Sequence, residues 1–414
     1  MCLSCLPTPV LYWCKVALDL HQVVLQIESL VSRLRAGRQE WVRRLALARE
    51  TLESASADIP LLQRRIAAAR TTWLVAGVEE GLRGAFPPPT VPISFAVVAA
   101  DGSHMASDRH SPARCHLINI GTAHIQYGDA PTARLDSRPS LYCEDVDLAV
   151  PDPAGIRDEP VDGAVLGLKR TVVEAEALAG LVEAVDPSLP TLGLLDGTLI
   201  LWGVTAQGFP GFVREALLEK GFLPALERMR TAAPDRPVAL ASYISRPAGT
   251  DVVNALRVAL CPFDPPDCDK HCRGRDKDCS GLDGLDDRML FTDLLGGGER
   301  SPIFSSASSV VRQYYGEHQV FFFYINADEE IARVEVPRWV AQDPVLLGLT
   351  HSLMVDSCRK GRGYPVSLME AHEQAVLTGA HREQFWSLVA RALEEQGLAA
   401  DTSAKAASKR LPWV

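Results

Sequence analysis

Residues 95–103 read FAVVAADGS, an apolar run that stops abruptly at Asp101-Gly102-Ser103. A near twin lies at residues 192–199, LGLLDGTL, where Asp196 is followed by Gly197 and Thr198. Each run is too short for a helix and is flanked by glycine or proline, which predicts a buried strand. Each ends on a carboxylate followed by a glycine, which lets the backbone turn sharply and leaves room for a ligand. Taken singly, an Asp-Gly pair is an ordinary turn. Two such carboxylates side by side make a hard, oxygen-rich site suited to Mg²⁺ or Mn²⁺.

Around these strands the pattern alternates. Upstream, residues 16–84 are rich in Leu, Ala, Arg and Glu, with apolar positions at helical spacing from Val24 to Leu34. Ile59-Pro60 interrupts the pattern, so a helical hairpin is expected, with its second helix at 61–84. Such a hairpin serves packing or oligomerisation, and its many arginines allow phosphate contact. A proline-rich linker, 85–92, leads into the first Asp strand. Downstream, strands are expected at 115–120, 123–127 and 238–245, a loop at 129–162, and helices at 165–185 and 209–229. Residues 256–299 are rich in Gly, Asp and Cys and predict no regular element. VFFFYI (320–325) and ARVEV (332–336) predict a hairpin turning at 326–330, and helices at 345–359 and 367–396 close the chain. Strands alternating with single helices predict an α/β (α+β) fold with a mixed sheet. The expected organisation is a helical region and linker at 1–90, a catalytic domain at 91–396 with a Cys-rich insertion at 257–299, and a polar tail at 397–414.

A net charge of −10 argues against sequence-blind coating of nucleic acid by the whole surface, while a locally basic groove remains compatible with it. The N-terminal MCLSCLPTPVLYWCK is apolar but has no basic n-region, contains two prolines and lacks a small-residue cleavage site. Neither a signal peptide nor a membrane span is expected, and a soluble cytoplasmic protein is. Of the ten cysteines, Cys261, Cys268, Cys272 and Cys279 are crowded into one loop, in the pattern C-x₆-C-x₃-C-x₆-C. Four thiolates this close fit Zn²⁺ or an iron–sulfur cluster, with His271 a substitute ligand, although the tight C-x₂-C pairs of zinc ribbons are missing. Free thiols are the alternative. Asp264, Asp267, Asp269, Asp276 and Asp278 make Ca²⁺ conceivable there, without EF-hand spacing.

Three further groups carry candidate chemistry. The 165–185 helix holds Lys169, Arg170, Glu174 and Glu176; Arg170 and Glu174 form either a surface ion pair or, with one glutamate turned inward, a third carboxylate. Glu174 is preferred over Glu176 because it shares a face with Arg170 and Leu178. Gly363-Tyr364-Pro365 precedes a helix start, which places His372 on the second turn, facing partly inward. Tyr243, Ser245 and Arg246, at a strand end, could hold a phosphate through charge-assisted bonds or simply form a strand exit.

The ordered set DGS, Arg/Glu helix, LLDGTL, YISRP, ARVEVP and GYPxxLxxAH resembles the NurA nuclease family, over residues 95–382. The resemblance implies an RNase H-like core and hydrolysis of DNA dependent on a divalent metal, typically Mn²⁺. It implies 5′→3′ exonuclease and single-strand endonuclease activity, in a homodimer docked on a HerA-type hexameric ATPase during DNA end resection. It also implies metal carboxylates at Asp101, Glu174 and Asp196, with His372 and Tyr364 beside them. Phosphodiester hydrolysis needs an activated water and neutralised attacking and leaving oxygens, which paired metals supply. The chain contains no Walker A pattern, so an ATP-driven step belongs to a partner. Two alternatives stand beside this reading: another RNase H-like nuclease that acts on RNA, and a catalytically silent scaffold that binds DNA and the translocase.

Overall fold

In the computed structural model, described for residues 18–398 apart from 108–110, 207, 234 and 274–276, the two Asp runs lie next to each other in one mixed sheet. Asp276, the segment read for a signal peptide and the tail beyond 398 lie outside the described residues. The strands of the sheet are β1 (Gly77–Val78), β2 (Phe95–Ala106), β3 (His116–Tyr127), β4 (Thr132–Tyr142), β5 (Thr191–Asp196), β6 (Val238–Ile244), β7 (Phe304–Ser305), β8 (Val320–Asn326) and β9 (Ile331–Pro337). Their order is β1-β7-β8-β9-β6-β5-β2-β3-β4. β2, β3 and β4 are antiparallel neighbours, and β2, β5 and β6 run parallel. This is the RNase H-like arrangement of a mixed α/β fold, extended on one side by the β8–β9 hairpin.

The apolar run of β2 is continuous because both faces of the strand are buried. Ala96, Val98 and Ala100 face a core completed by Leu178, Ala179 and Val182 of helix α3 (Gly163–Ala184). Phe95, Val97 and Ala99 face a second core with Leu353 and Met354 of one helix and Leu368 and Ala371 of another. A third core joins Leu52 of α1 (Leu20–Ser56), Leu62 of α2 (Ile59–Ala68) and Leu256 of α4 (Asp251–Leu260) to the aromatic residues of β7 and β8. Three C-terminal helices are α5 (Pro344–Lys360), α6 (Val366–Ala375) and α7 (Gly379–Glu395).

Several expected elements differ from the observed ones. The second N-terminal helix ends at Ala68 instead of continuing to residue 84. Thr71, Thr72 and Trp73 follow in non-helical backbone, and β1 then pairs with β7. The expected pair of strands at 115–127 is one strand, β3, running through Gly121. The 129–162 loop contains β4, an edge strand exposed along almost its whole length and therefore without apolar alternation. The 209–229 helix includes a π-helical stretch, Glu215–Phe222. The Cys-rich insertion does hold short helical turns, at Cys268–His271, Asp278–Leu282 and Asp287–Phe291. The last expected helix is two, because Thr378 caps a new start with its hydroxyl accepting from the backbone of His381.

Among the described residues no helix is long and apolar enough to cross a membrane.

Candidate active site

β2 and β5 are parallel neighbours, paired from Ala96↔Thr191 to Ala100↔Leu195, so Asp101 and Asp196 each follow the last paired position of their strand. The sheet register alone therefore brings the two Asp-Gly motifs together. Helix α3 crosses the same strands and turns Glu174 inward, while Glu176 is exposed. Of the two glutamates, Glu174 is the one that lies within electrostatic reach of Asp101 and Asp196.

Glu174 fits because position 102 is glycine. A Cβ there would stand 2.6 Å from Glu174 Oε1 and 3.0 Å from its Cγ. Arg170 Nε lies 2.9 Å from Glu174 Oε1, one helical turn away, but without hydrogen-bond alignment: both atoms are buried and lack a hydrogen-bond partner. Burial pushes the Glu174 carboxyl up to about 8; Arg170 acts against this, and the Asp101 and Asp196 charges add to it. Asp196 keeps an exposed edge, yet desolvation by the surrounding protein raises its carboxyl, opposed first by the Tyr364 hydrogen bond and reinforced by Asp101.

Two protein donors meet the aspartates. Tyr364 Oη donates to Asp196 Oδ1 at 2.8 Å, and the His372 Nδ1 contact with Asp101 Oδ2 is 2.6 Å. The His372 side chain is 61% exposed, more open than the expected inward orientation, so it covers Asp101 from the solvent side. Its helix is fixed by an unusually close approach. A Cβ on Gly121 would lie 2.1 Å from the Ala371 carbonyl oxygen and 2.4 Å from Ala375 N, so α6 rests directly on the β3 backbone. Asn119 Nδ2 donates to the Gln374 and Ala375 carbonyls at 3.0 Å each, and the Ser103 hydroxyl donates to Ala375 O. Gly121→Ala should therefore lift α6, separate His372 from Asp101 and lower the Tm; a melting curve and a cleavage rate equal to those of the parent chain would contradict this placement.

The turn after Asp196 is held from below. Gly197 has a φ of 83°, and its N–H donates to the Tyr243 carbonyl at 2.9 Å. The Thr198 hydroxyl and the Leu199 N–H both donate to Glu335 Oε2, at 2.7 and 2.9 Å. Glu335 is itself paired with buried Arg333, whose guanidinium also reaches Asp251 and lies 3.5 Å over the Phe322 ring. The ARVEV strand thus contributes the anchor of the second Asp-Gly turn, a role that its hydrophobic pattern does not show.

The expected phosphate group is arranged differently. Tyr243 and Ser245 both donate to Glu330, at 2.9 Å each, and Arg246 is exposed in left-handed backbone. The Tyr243 backbone pairs with Asp196, while its side chain meets the Tyr364 ring edge-on at 5.3 Å. Nearer the carboxylates, Arg170 and Arg382 both help burial to hold down the pKa of His104 on β2. Of the two, Arg170 supplies positive charge beside the acidic group, 2.9 Å from Glu174 Oε1. Among the described residues no three His, Cys, Asp or Glu side chains stand in metal-ligating proximity.

The family model for the NurA domain matches residues 95–377, from the first residue of β2 to just beyond α6. The chain belongs to the NurA family. This is a family of nucleases linked to DNA and to the HerA-type ATPase. The matched span includes every carboxylate, Tyr364 and His372, and it ends soon after the helix that carries His372. The α1–α2 region lies outside the NurA match. No curated protein matches the chain.

Proposed function

We propose that this NurA-family chain is a divalent-metal-dependent deoxyribonuclease, with Asp101, Glu174 and Asp196 as its metal carboxylates. The observation that carries the reading is the Glu174 Oε1 atom, buried and without a hydrogen-bond partner beside two further carboxylates. Arg170 lies 2.9 Å from that oxygen but is not aligned to donate, so it is buried without a hydrogen bond, which is costly, and a hard cation satisfies it. The hard oxygen donors of Asp101, Glu174 and Asp196 suit Mn²⁺ or Mg²⁺, which would draw together side chains that do not yet share a ligating point, with His372 able to complete the set. Bound there, a divalent cation activates water and neutralises charge on the scissile phosphate.

The chain's own residues do the positioning. Glu335 holds the Asp196 turn, Tyr364 orients the Asp196 carboxylate, and His372 orients Asp101 and stands at the solvent side, where it can accept or release a proton. Arg170 offers a charge-assisted contact to phosphate at the same place. From the family resemblance come the finer expectations: 5′→3′ exonuclease and single-strand endonuclease activity, preference for Mn²⁺, and work with a HerA-type hexameric ATPase in DNA end resection. A homodimer is supported by α1, where Leu20, Val24, Ile27, Val31 and Leu34 repeat at alternating spacings of four and three and are all exposed. That seam has the period of a coiled coil, and a second copy of the chain would cover it.

Labelled single-stranded and duplex-end DNA, and RNA of the same sequence, incubated with Mn²⁺ or with EDTA, test the reading. DNA cleaved only with Mn²⁺ supports it. DNA bound but left intact would make the chain a scaffold, and cleavage confined to RNA would reassign the substrate.

A further inference from the structure

Outside the carboxylate site, the chemistry that this function leaves unused is concentrated in the Cys-rich insertion. Helix α4 ends at Leu260 and passes the chain to Cys261, whose carbonyl accepts from the Arg65 guanidinium of α2. The same guanidinium donates to Val258 O and Phe263 O, at 3.2 Å each. Arg70, just beyond α2, forms a second clamp: its N–H donates to Pro266 O at 2.8 Å, and its carbonyl accepts from Cys268 N at 3.0 Å. A single helical turn then separates Cys268 from Cys272, with Cys272 N donating to Cys268 O at 3.1 Å, so the two lie on one face. The Phe263 ring stacks on His271 at 4.0 Å, folding the Cys261 arm over that turn. Cys279 sits in the short turn Asp278–Leu282, which Arg257 of α4 holds through Leu282 O at 3.2 Å and Asp283 at 3.0 Å.

Three short segments carrying four cysteines are thus fastened around the end of α4. All four are free thiols of intermediate exposure. Cys272, Cys279 and Cys261 all lie within electrostatic reach of Cys268. No three of them already share a ligating point, and a tetrathiolate centre would draw the sulfurs inward to metal–sulfur distances of about 2.3 Å. The partly exposed arms can make that closure while the Arg65, Arg70 and Arg257 anchors hold their backbone.

We propose that Cys261, Cys268, Cys272 and Cys279 form a thiolate metal centre, filled by one zinc ion or by an iron–sulfur cluster, that ties the insertion to α2 and α4. Four soft sulfur ligands select these metals over the hard cations expected at the carboxylates. With every position filled by protein, such a centre is structural and offers no open site to substrate. The inference is independent of the nuclease reading.

The test measures bound metal. Full-length protein purified anaerobically without added metal, then desalted, should carry about one zinc per chain, or iron with matching acid-labile sulfide and visible charge-transfer absorption. Cys268→Ser/Cys272→Ser should lose most of that metal, whereas Cys143→Ser and Asp101→Asn should keep it; the last variant separates this centre from the carboxylate site. If the double variant does not fold, titrating the parent protein with a mercurial thiol reagent should release the metal in step with the cysteines blocked. Folded protein that binds neither zinc nor iron, even after anaerobic reconstitution, would overturn the centre. So would metal retained by a folded double variant, or metal that stays bound when all thiols are blocked.

Discussion

Asp101→Asn and Asp196→Asn should each lower Mn²⁺-dependent DNA cleavage by about a thousandfold or more, while DNA affinity stays within a few-fold of the parent chain. The substitutions are isosteric, so the loss reports charge and ligation more than shape. In Asp196→Asn the side-chain amide oxygen would still accept the Tyr364 hydrogen bond. In Asp101→Asn it would still accept from Gly102 N, which in the parent chain donates to Asp101 Oδ1 at 2.7 Å. A second measurement separates catalysis from folding. Asp101 and Asp196 both raise the pKa of Glu174, which means that each aspartate charge opposes ionisation of Glu174. Removing one of them should raise the Tm measured in EDTA, the usual trade of stability for function at an active site. A variant that is more stable, binds DNA and does not cut it meets both expectations. Cleavage at the parental rate by either purified variant would remove that aspartate from the site.

The parts of this fold that could be read from the chain are those whose local pattern and tertiary environment agree. β2 and β5 are buried on both faces and consist of unbroken apolar runs, and β8 and β9 pair over Val320↔Pro337 to Asn326↔Ile331, as their composition predicts. β4 escaped notice for the opposite reason: it is an exposed edge, with charged residues and Pro139 where an apolar face would otherwise show. The long expected helices failed where a cap or a strand pairing far away in sequence overrode propensity, at Thr378 and at Gly77–Val78. At the site, the strand-end aspartates and the Arg170–Glu174 spacing were visible locally. Gly102 was legible only as a turn glycine, although β2 runs on through it to Ala106, and Gly121 was not legible, because each is required by a contact with a distant helix: Glu174 in one case, the α6 backbone in the other. Glu335 was hidden in the same way. Its only local signature is a charged residue in an apolar strand, and a buried carboxylate in such a place calls for a partner that the sequence cannot name.

In metal-free protein, Glu174 should contribute stability that is lost as pH rises from about 4.5 to about 8, and Glu174→Gln should remove that part of the pH dependence. The sign follows from proton counting. Burial raises the Glu174 carboxyl from 4.5 to about 8, so across this window the folded chain holds a proton that the unfolded chain has released. Stability then decreases with pH; the contribution is fully present below the unfolded value and is lost as pH passes through the folded one. Buried Asp287, which accepts from Val252 N, Val253 N and the Tyr324 hydroxyl, is raised to about 7 by burial and then by Asp251 and has the same sign. It is present in both proteins and cancels in their difference, so the parent-minus-variant curve isolates Glu174. Thermal melts in EDTA at several pH values provide the measurement, with a difference amounting to several degrees between pH 5 and pH 8 for a shift of this size. Saturating Mn²⁺ should flatten or invert the parent's slope, because a cation bound by the carboxylates favours the ionised form. Parallel curves for parent and variant in EDTA would mean that Glu174 is already ionised in the folded chain, with Arg170 2.9 Å away able to neutralise it, and the orphaned oxygen would lose its claim as a metal ligand.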